Sequence, residues 1–246
     1  MNKFATIILA AGMGKRMKSD LPKVLHKLAG RPLLHWVIEQ SEGAGGDMTV
    51  VVVGHKKELV IESVADMNVE IAVQEQQLGT ADAVLSAKRY LEGWDGDILI
   101  LSGDVPLLQT STIRAAYDVH KREDASCTVF TFEPESPSGY GRVIRSTDGL
   151  ITTIVEEKDA NSEQKLIREV NAGIYFYRSV ELWESLSKVD NKNAAGEFYV
   201  TDTISILCKA GKRVLPYLVD DPLETSGVNS PEQLLELEQI VLDRAR

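Results

Sequence analysis

Gly12-x-Gly14, with Lys15, Arg16, Lys18 and Lys23 following closely, is where this 246-residue sequence first gathers groups that could do chemistry. The chemistry they suit is phosphate binding. Two glycines allow positive φ and let a ligand approach the backbone. Backbone N–H groups beside cationic side chains attract phosphate oxygens. Two common phosphate motifs do not fit. A P-loop, G-x-x-x-x-G-K-[ST], would need glycine at Leu9 and a hydroxyl at Arg16. A dinucleotide fingerprint, G-x-G-x-x-G, would need Gly or Ala at Met17. On glycine and charge alone, a surface turn with solvated lysines remains an equal reading.

Acidic and amide groups come next, because a phosphate ligand usually brings magnesium, which takes few protein ligands and keeps several waters. Asp104 in "LSGDVPL" follows an apolar run and precedes a turn fixed by Pro106. It could ligate a metal, or it could close an Asx-turn or cap a helix. Asn229 in "SGVNSPEQL" is a second candidate, with helix capping as its alternative. His26, His35, His55 and His120 have no metal-ligand spacing. Cys127 and Cys208 lie in apolar patterns and read as buried thiols without a disulfide framework.

The elements that must position these groups alternate regularly in the first half. Strands "FATIIL", "MTVVVVG", "VEIAVQ", "DILILSGD" and "SCTVFTF" are separated by helices expected near 33–42, 57–65, 80–90 and 111–121, with Thr80 as an N-cap. Apolar strands in βα alternation predict a mostly parallel, Rossmann-like sheet flanked by helices. Right-handed crossovers put every strand's C-terminal end on one rim. Residues 12–23, 74–80 and 102–106 then converge there, which favours phosphate binding over a bland turn.

The second half reads differently. "GYGRVIRSTDGLITTIVEEKD" predicts two strands joined by "STDG", followed by a charged helix over 162–168 and the strand "EVNAGIYFY". A helix near 180–187, the helical segment "YVTDTISILCKAG", the strand "RVLPYLV" and a closing helix from Ser230 follow. These divisions separate a first part over about 1–132 from a smaller part over about 133–229 and a C-terminal helix or linker over 230–246.

The formal net charge of −10 argues against nucleic acid or an anionic membrane as partner. Residues 15–31 run against it, with Lys15, Arg16, Lys18, Lys23, Lys27 and Arg31 facing Asp20 alone. A local cationic patch on an acidic chain suits a small anion. No stretch has the length of a membrane span and no cleavable leader is evident, so the cytoplasm is the expected location.

In order along the chain, "LAAGMGKRMKSDLPKVL", "EQQLGTADAV", "GDVPL", "GYGRVIR", "IVEEKDA", "VNAGIY", "GEFYVTD" and "GVNSPEQL" resemble the sugar-phosphate nucleotidyltransferases. More closely, they resemble the uridyltransferase (pyrophosphorylase) half of the bacterial bifunctional N-acetylglucosamine-1-phosphate uridyltransferases, which make a cell-wall precursor. The resemblance implies that Leu9, Ala10, Ala11, Gly12 and Gly14 wrap UTP and that Arg16 and Lys23 bind its phosphates as the catalytic cations. It implies that Gln74, Gly79 and Thr80 read the uracil. Asp104 and Asn229 would hold Mg2+, beside Gly103. Gly141, Glu156, Asn171, Tyr199 and Thr201 would surround N-acetylglucosamine 1-phosphate. Taken without the resemblance, Glu156 reads as a strand-edge charge and Asn171 as a bulge residue.

This sequence departs from the family at Ser102, where Tyr is usual, and at Ala172, where Thr is usual. The resemblance makes about 1–132 the nucleotide-binding part and about 133–229 the sugar-binding lobe. No hexapeptide repeat of the trimerising β-helix acetyltransferase domain appears in these 246 residues, so either the activity is single or the sequence is part of a longer chain, and the oligomeric state is open. The implied reaction is displacement at the α-phosphorus of UTP by the sugar phosphate, giving UDP-N-acetylglucosamine and pyrophosphate. A phosphate monoester's second pKa is about 6, so this nucleophile needs no general base. The alternatives are transfer with another nucleotide or sugar 1-phosphate, a non-catalytic nucleotide-sugar sensor, and a scaffold domain.

Overall fold

Strand β1 (Phe4–Ala10) carries six apolar residues and a single threonine, and such a strand must be covered on both faces. The computed structural model, which describes residues 3–244, places it inside a nine-stranded sheet. Two short strands, β2 (Lys27–Leu28) and β3 (Arg31–Pro32), pair with each other apart from that sheet. The βα half continues through α1 (Leu33–Ala44), β4 (Met48–Val53), α2 (Lys57–Ser63), β5 (Glu70–Val73), α3 (Thr80–Ser86), β6 (Asp97–Ser102), α4 (Thr110–Arg122) and β7 (Cys127–Phe132). After it come β8 (Arg142–Arg145), β9 (Ile151–Val155), β10 (Val170–Arg178), α5 (Ser179–Leu186), α6 (Asp202–Lys209), β11 (Val214–Leu218) and α7 (Pro231–Arg244).

The strand order is β11-β7-β10-β6-β1-β4-β5, with the β8–β9 hairpin attached through β8 to β10. Strands β5, β4, β1 and β6 are mutually parallel, and β11 is parallel to β7. Strand β10 is inserted between β6 and β7 and runs antiparallel to both. The sheet is therefore mostly parallel, as the βα alternation predicts. At the rim, however, β10 contributes its N-terminal end, Val170 and Asn171. Alternate residues cover opposite faces, as a period of two requires. Ala5, Ile7, Val50, Val52, Ile98 and Ile100 join one core, and Phe4, Ile8, Val51, Val53, Leu99 and Leu101 the other. A third cluster, Met17, Leu28, Leu33, Leu107, Val228 and Leu237, fastens α7 and the basic loop to the body.

Several sequence expectations need correction. The charged helix over 162–168 is only a 3-10 turn, Gln164–Leu166, and Leu166 is exposed. So short a segment without an apolar face to bury cannot offset the cost of nucleating a helix. The helix expected over 80–90 stops at Ser86 and tightens into a 3-10 turn, Lys88–Leu91. Thr80 is the first helical residue rather than the cap. In "YVTDTISILCKAG" the α-helix starts at Asp202, because Tyr199 to Thr201 form turns. Cys127 is fully buried, but Cys208 is half-buried, its thiol donating to Ile151 O at 3.0 Å. Residues 245 and 246 of the expected C-terminal helix lie outside the described residues. No helix among the described residues is long and apolar enough to cross a membrane.

Candidate active site

After β1 the chain turns through Ala11 to Gly14 into a 3-10 turn, Lys15–Met17, anchored by the buried Met17 side chain. Gly14 has φ +58°, and a Cβ there would lie 2.7 Å from Lys23 Cβ. Glycine is thus required for the basic loop to fold against Lys23. Lys23 opens a second 3-10 turn whose neighbours Val24 and Leu25 are buried, so its backbone is held in place. Its ammonium donates to Asp104 Oδ2, and to Asn229 Oδ1 at 3.1 Å. Arg16 Nη2 donates to the same Asn229 oxygen at 2.9 Å. Two cations of the basic loop and two oxygen acceptors from distant loops meet at one point of the rim.

The backbone fixes this meeting. Gly103 N donates to Leu9 O at 3.0 Å, which ties the end of β6 to the end of β1. Val228 N donates to Asp104 O at 2.9 Å, which ties the Asn229 loop to the Asp104 turn. Helix capping does not use Asn229. Ser230 Oγ accepts from Gln233 N at 3.3 Å, and Gln233 Oε1 accepts from Asn229 N at 2.8 Å. That reciprocal arrangement is close to a capping box, and it leaves the Asn229 side chain to face Lys23 and Arg16. Of the remaining basic residues in 15–31, Arg31 pairs with Glu39, while Lys18 and Lys27 are exposed. The side chain of Lys15 lies outside the described residues.

Beside this cluster is an open cavity of about 380 Å3 lined by Leu9, Ala10, Ala11, Gly12, Lys23, Gln74, Gly79, Thr80 and Asp104. Met13, Gln77 and Ser102, from the expected rim segments, also line it, as do Val24, Ala83 and Glu197, which the sequence does not single out. The buried Gln74 spends its amide nitrogen on Gly79 O (3.1 Å) and Asp82 (2.8 Å). That orientation leaves its amide oxygen as the group for a ligand donor. Gly79, φ +131°, lies so close to the 195–198 loop that a Cβ would come within 2.4 Å of Phe198 O. Phe198 N donates to Leu78 O and Ala81 N to Phe198 O, both at 2.9 Å. Thr80 Oγ1 accepts from Val200 N at 2.9 Å. A glycine and a threonine thereby clasp the second half of the chain onto the first.

A second cavity, about 180 Å3, shares Leu9, Thr80 and Ser102 with the first, so the two are contiguous. Glu156, Asn171, Gly173, Tyr175, Val200 and Thr201 complete it. Asn171 begins a bulge in β10, where Gly173 has φ +73°. Its Oδ1 accepts from Gly173 N at 3.0 Å and its Nδ2 donates to Tyr175 OH. It is a bulge residue and a cavity residue at once. Thr201 Oγ1 donates to Glu156 Oε1 at 2.9 Å. Burial raises the Glu156 carboxyl pKa above its ordinary value; the Thr201 bond opposes the rise, and Asp202, Asp159 and Glu197 reinforce it. Tyr199 lines neither cavity. Burial, then the carboxylates of Asp159, Glu197, Glu156 and Asp202, push its phenol up to about 12. Gly141 lies against Glu156, with no room for a Cβ beside Ile154 Cγ2.

The arrangement can bind an anionic chain across the basic rim, with one part of the ligand in each cavity. Comparison with known proteins gives the family and the fold. Residues 6–196 match the MobA-like NTP transferase domain. The "Bifunctional protein GlmU" of Geobacter metallireducens is 47% identical over 237 residues, covering 96% of this chain and 50% of that protein. The protein of the same name from Acetivibrio thermocellus is 44% identical, covering 99% and 53%. That from Desulfotalea psychrophila is 42% identical, covering 95% and 69%. The chain spans about half the length of the first two. A crystal structure of UDP-glucose pyrophosphorylase complexed with UDP-glucose superposes with a TM-score of 0.76 at 20% identity, covering 99% of this chain and 100% of that one, which shows the shared fold. With a domain match reaching from β1 to the loop that Gly79 clasps, the chain belongs to the MobA-like NTP transferase family.

Proposed function

We propose that this chain transfers UMP from UTP to N-acetylglucosamine 1-phosphate, forming UDP-N-acetylglucosamine and releasing pyrophosphate. The observation that carries the reading is the meeting of Arg16, Lys23, Asp104 and Asn229 beside two contiguous cavities. Its support from relatives is the extended identity to the GlmU proteins. The larger cavity suits the nucleotide. Gln74 offers an acceptor for the uracil imide N–H, and Ala10 to Gly12 offer a surface without bulky side chains. The smaller cavity suits the amino sugar, with Glu156, Asn171 and Thr201 supplying polar contacts.

Asp104 Oδ2 and Asn229 Oδ1 converge on one cation, the Lys23 ammonium. Two hard oxygens so placed fit Mg2+, which needs few protein ligands and completes its shell with water and phosphate. When bound there, Mg2+ supplies charge neutralisation between the reacting phosphates. Lys23 then has to give up this pair, and its long flexible stem lets the ammonium turn to the triphosphate. An oxygen of the sugar phosphate dianion attacks the α-phosphorus and forms the new P–O bond. The α–β bridging bond breaks, and its electron pair leaves with pyrophosphate. The guanidinium of Arg16 and the ammonium of Lys23 stabilise the charge on that leaving group. Positioning and electrostatics carry the rate, as in phosphoryl transfer generally.

The test is pyrophosphate release from UTP and N-acetylglucosamine 1-phosphate, with and without Mg2+. Release that requires both substrates and the metal supports the reading. Tight nucleotide-sugar binding without turnover would point to a sensor instead.

A further inference from the structure

Arg142 is the largest of the fully buried side chains, and the mechanism above does not use it. It sits on β8 between two strands, opposite Val155 of β9 and Val170 of β10. Its Nη2 pairs with Glu157 Oε2 at 2.8 Å, and its Nη1 donates to Tyr140 O. Its Nε is buried with no hydrogen-bond partner. Glu157 Oε2 also accepts from Gly139 N at 3.2 Å, and Lys165 Nζ stands 3.8 Å from Oε1. Burial works to raise the Glu157 pKa, but the Gly139 N–H and the Arg142 guanidinium outweigh it and hold the carboxyl below its ordinary value. An incompletely satisfied buried guanidinium is expensive to keep, and replacing such a pair with apolar residues is often neutral or stabilising. Stability alone is therefore a poor reason for it.

Its location supplies a better one. Side chains alternate across a sheet. The register that sets Arg142 opposite Val155 and Val170 sets Gly141 opposite Glu156 and Asn171. Asn171 N donates to Gly141 O at 2.9 Å, and the Glu156 carboxylate lies against Gly141. Gly141, Glu156 and Asn171 share one face, next to the smaller cavity. Arg142 and Glu157 share the other, directly behind them. We propose that the Arg142–Glu157 pair is a positioning device for sugar recognition: it locks the 139–142 loop to the end of β9 and so sets Glu156 and Gly141 against the sugar. This inference rests on the substrate reading above.

The test compares wild type, Glu157→Gln and Arg142→Lys by calorimetric titration with UTP and, separately, with UDP-N-acetylglucosamine, together with KM for each substrate. Glu157→Gln keeps an acceptor for Gly139 N but removes the charge. It should weaken UDP-N-acetylglucosamine binding, and raise KM for the sugar phosphate, by about tenfold, while UTP binding moves less than about twofold. Arg142→Lys keeps the charge and loses the fork, so it should fall between wild type and Glu157→Gln. If Glu157→Gln loses its cooperative melting transition, Glu157→Asp, which keeps the charge and withdraws the carboxylate, carries the same comparison. Equal weakening of both ligands, or of neither, in a wild type that binds both would overturn the positioning role alone. A wild type that does not bind UDP-N-acetylglucosamine would overturn the substrate reading and this inference with it.

Discussion

Replacing Lys23 with glutamine should have opposite effects on metal binding and on turnover. The Lys23 ammonium lies between Asp104 Oδ2 and Asn229 Oδ1, the two oxygens assigned to Mg2+. Its side chain is 18% exposed and that of Asp104 14%, so both are mostly covered and the fully screened Coulomb energy is a minimum for the pair. Two unit charges 4 Å apart interact by about 1 kcal/mol in a water-like medium, and a divalent ion doubles this to about 2 kcal/mol. That corresponds to about 30-fold in a dissociation constant. Removing the ammonium should therefore tighten Mn2+ binding to the nucleotide-free protein by at least that factor, read by electron paramagnetic resonance of free Mn2+. The same substitution should depress kcat, because the charge that stabilises departing pyrophosphate is gone. Asp104→Ala is the control and should abolish the tightened binding. Unchanged or weaker Mn2+ affinity in Lys23→Gln would refute the idea that ammonium and metal contend for one place.

Gly79→Ala should loosen the clasp between the two halves. Its Cβ would meet the Phe198 backbone at a strained φ, costing about 1–3 kcal/mol, and the two loop hydrogen bonds add about 1 kcal/mol each. A melting temperature lower by roughly 5–15 °C is expected from calorimetry, and no change would remove the proposed reason for glycine there. Glu156→Gln tests a linkage. The folded-state pKa of Glu156 is raised, so the stability linked to its proton is present below the unfolded-state pKa and lost as pH rises through the folded value. The variant should thus melt higher than wild type at neutral pH, with the gain vanishing in acid, while using the sugar phosphate less well. A melting difference independent of pH would contradict this.

The alternating strand and helix half was legible in the sequence because its signals are local. A buried parallel strand is a continuous apolar run, and the loop leaving it can be read residue by residue. Strand direction and neighbour choice are not local, and so the antiparallel entry of β10 between β6 and β7 left no mark in the apolar pattern. Capping signals were ambiguous for the same reason. Ser230 and Gln233 cap α7 between them and release Asn229, whereas Thr80 binds Val200 N, 120 residues away, instead of capping its own helix. Asn171 could be assigned to a bulge or to a ligand site from its type, and in the fold it begins a bulge that lines the smaller cavity. Glu197 reaches the larger cavity through loop closure around Gly79, which periodicity does not reveal.

The central claim is displacement at the α-phosphorus of UTP, organised by Asp104. It is tested most directly by single-turnover transfer from UTP labelled at that phosphorus, in the presence of Mg2+ and N-acetylglucosamine 1-phosphate. The account predicts that the label appears in UDP-N-acetylglucosamine and not in pyrophosphate, and that Asp104→Ala, folded as judged by its melting transition, transfers none. Label in pyrophosphate, or transfer by Asp104→Ala at the wild-type rate, would contradict it.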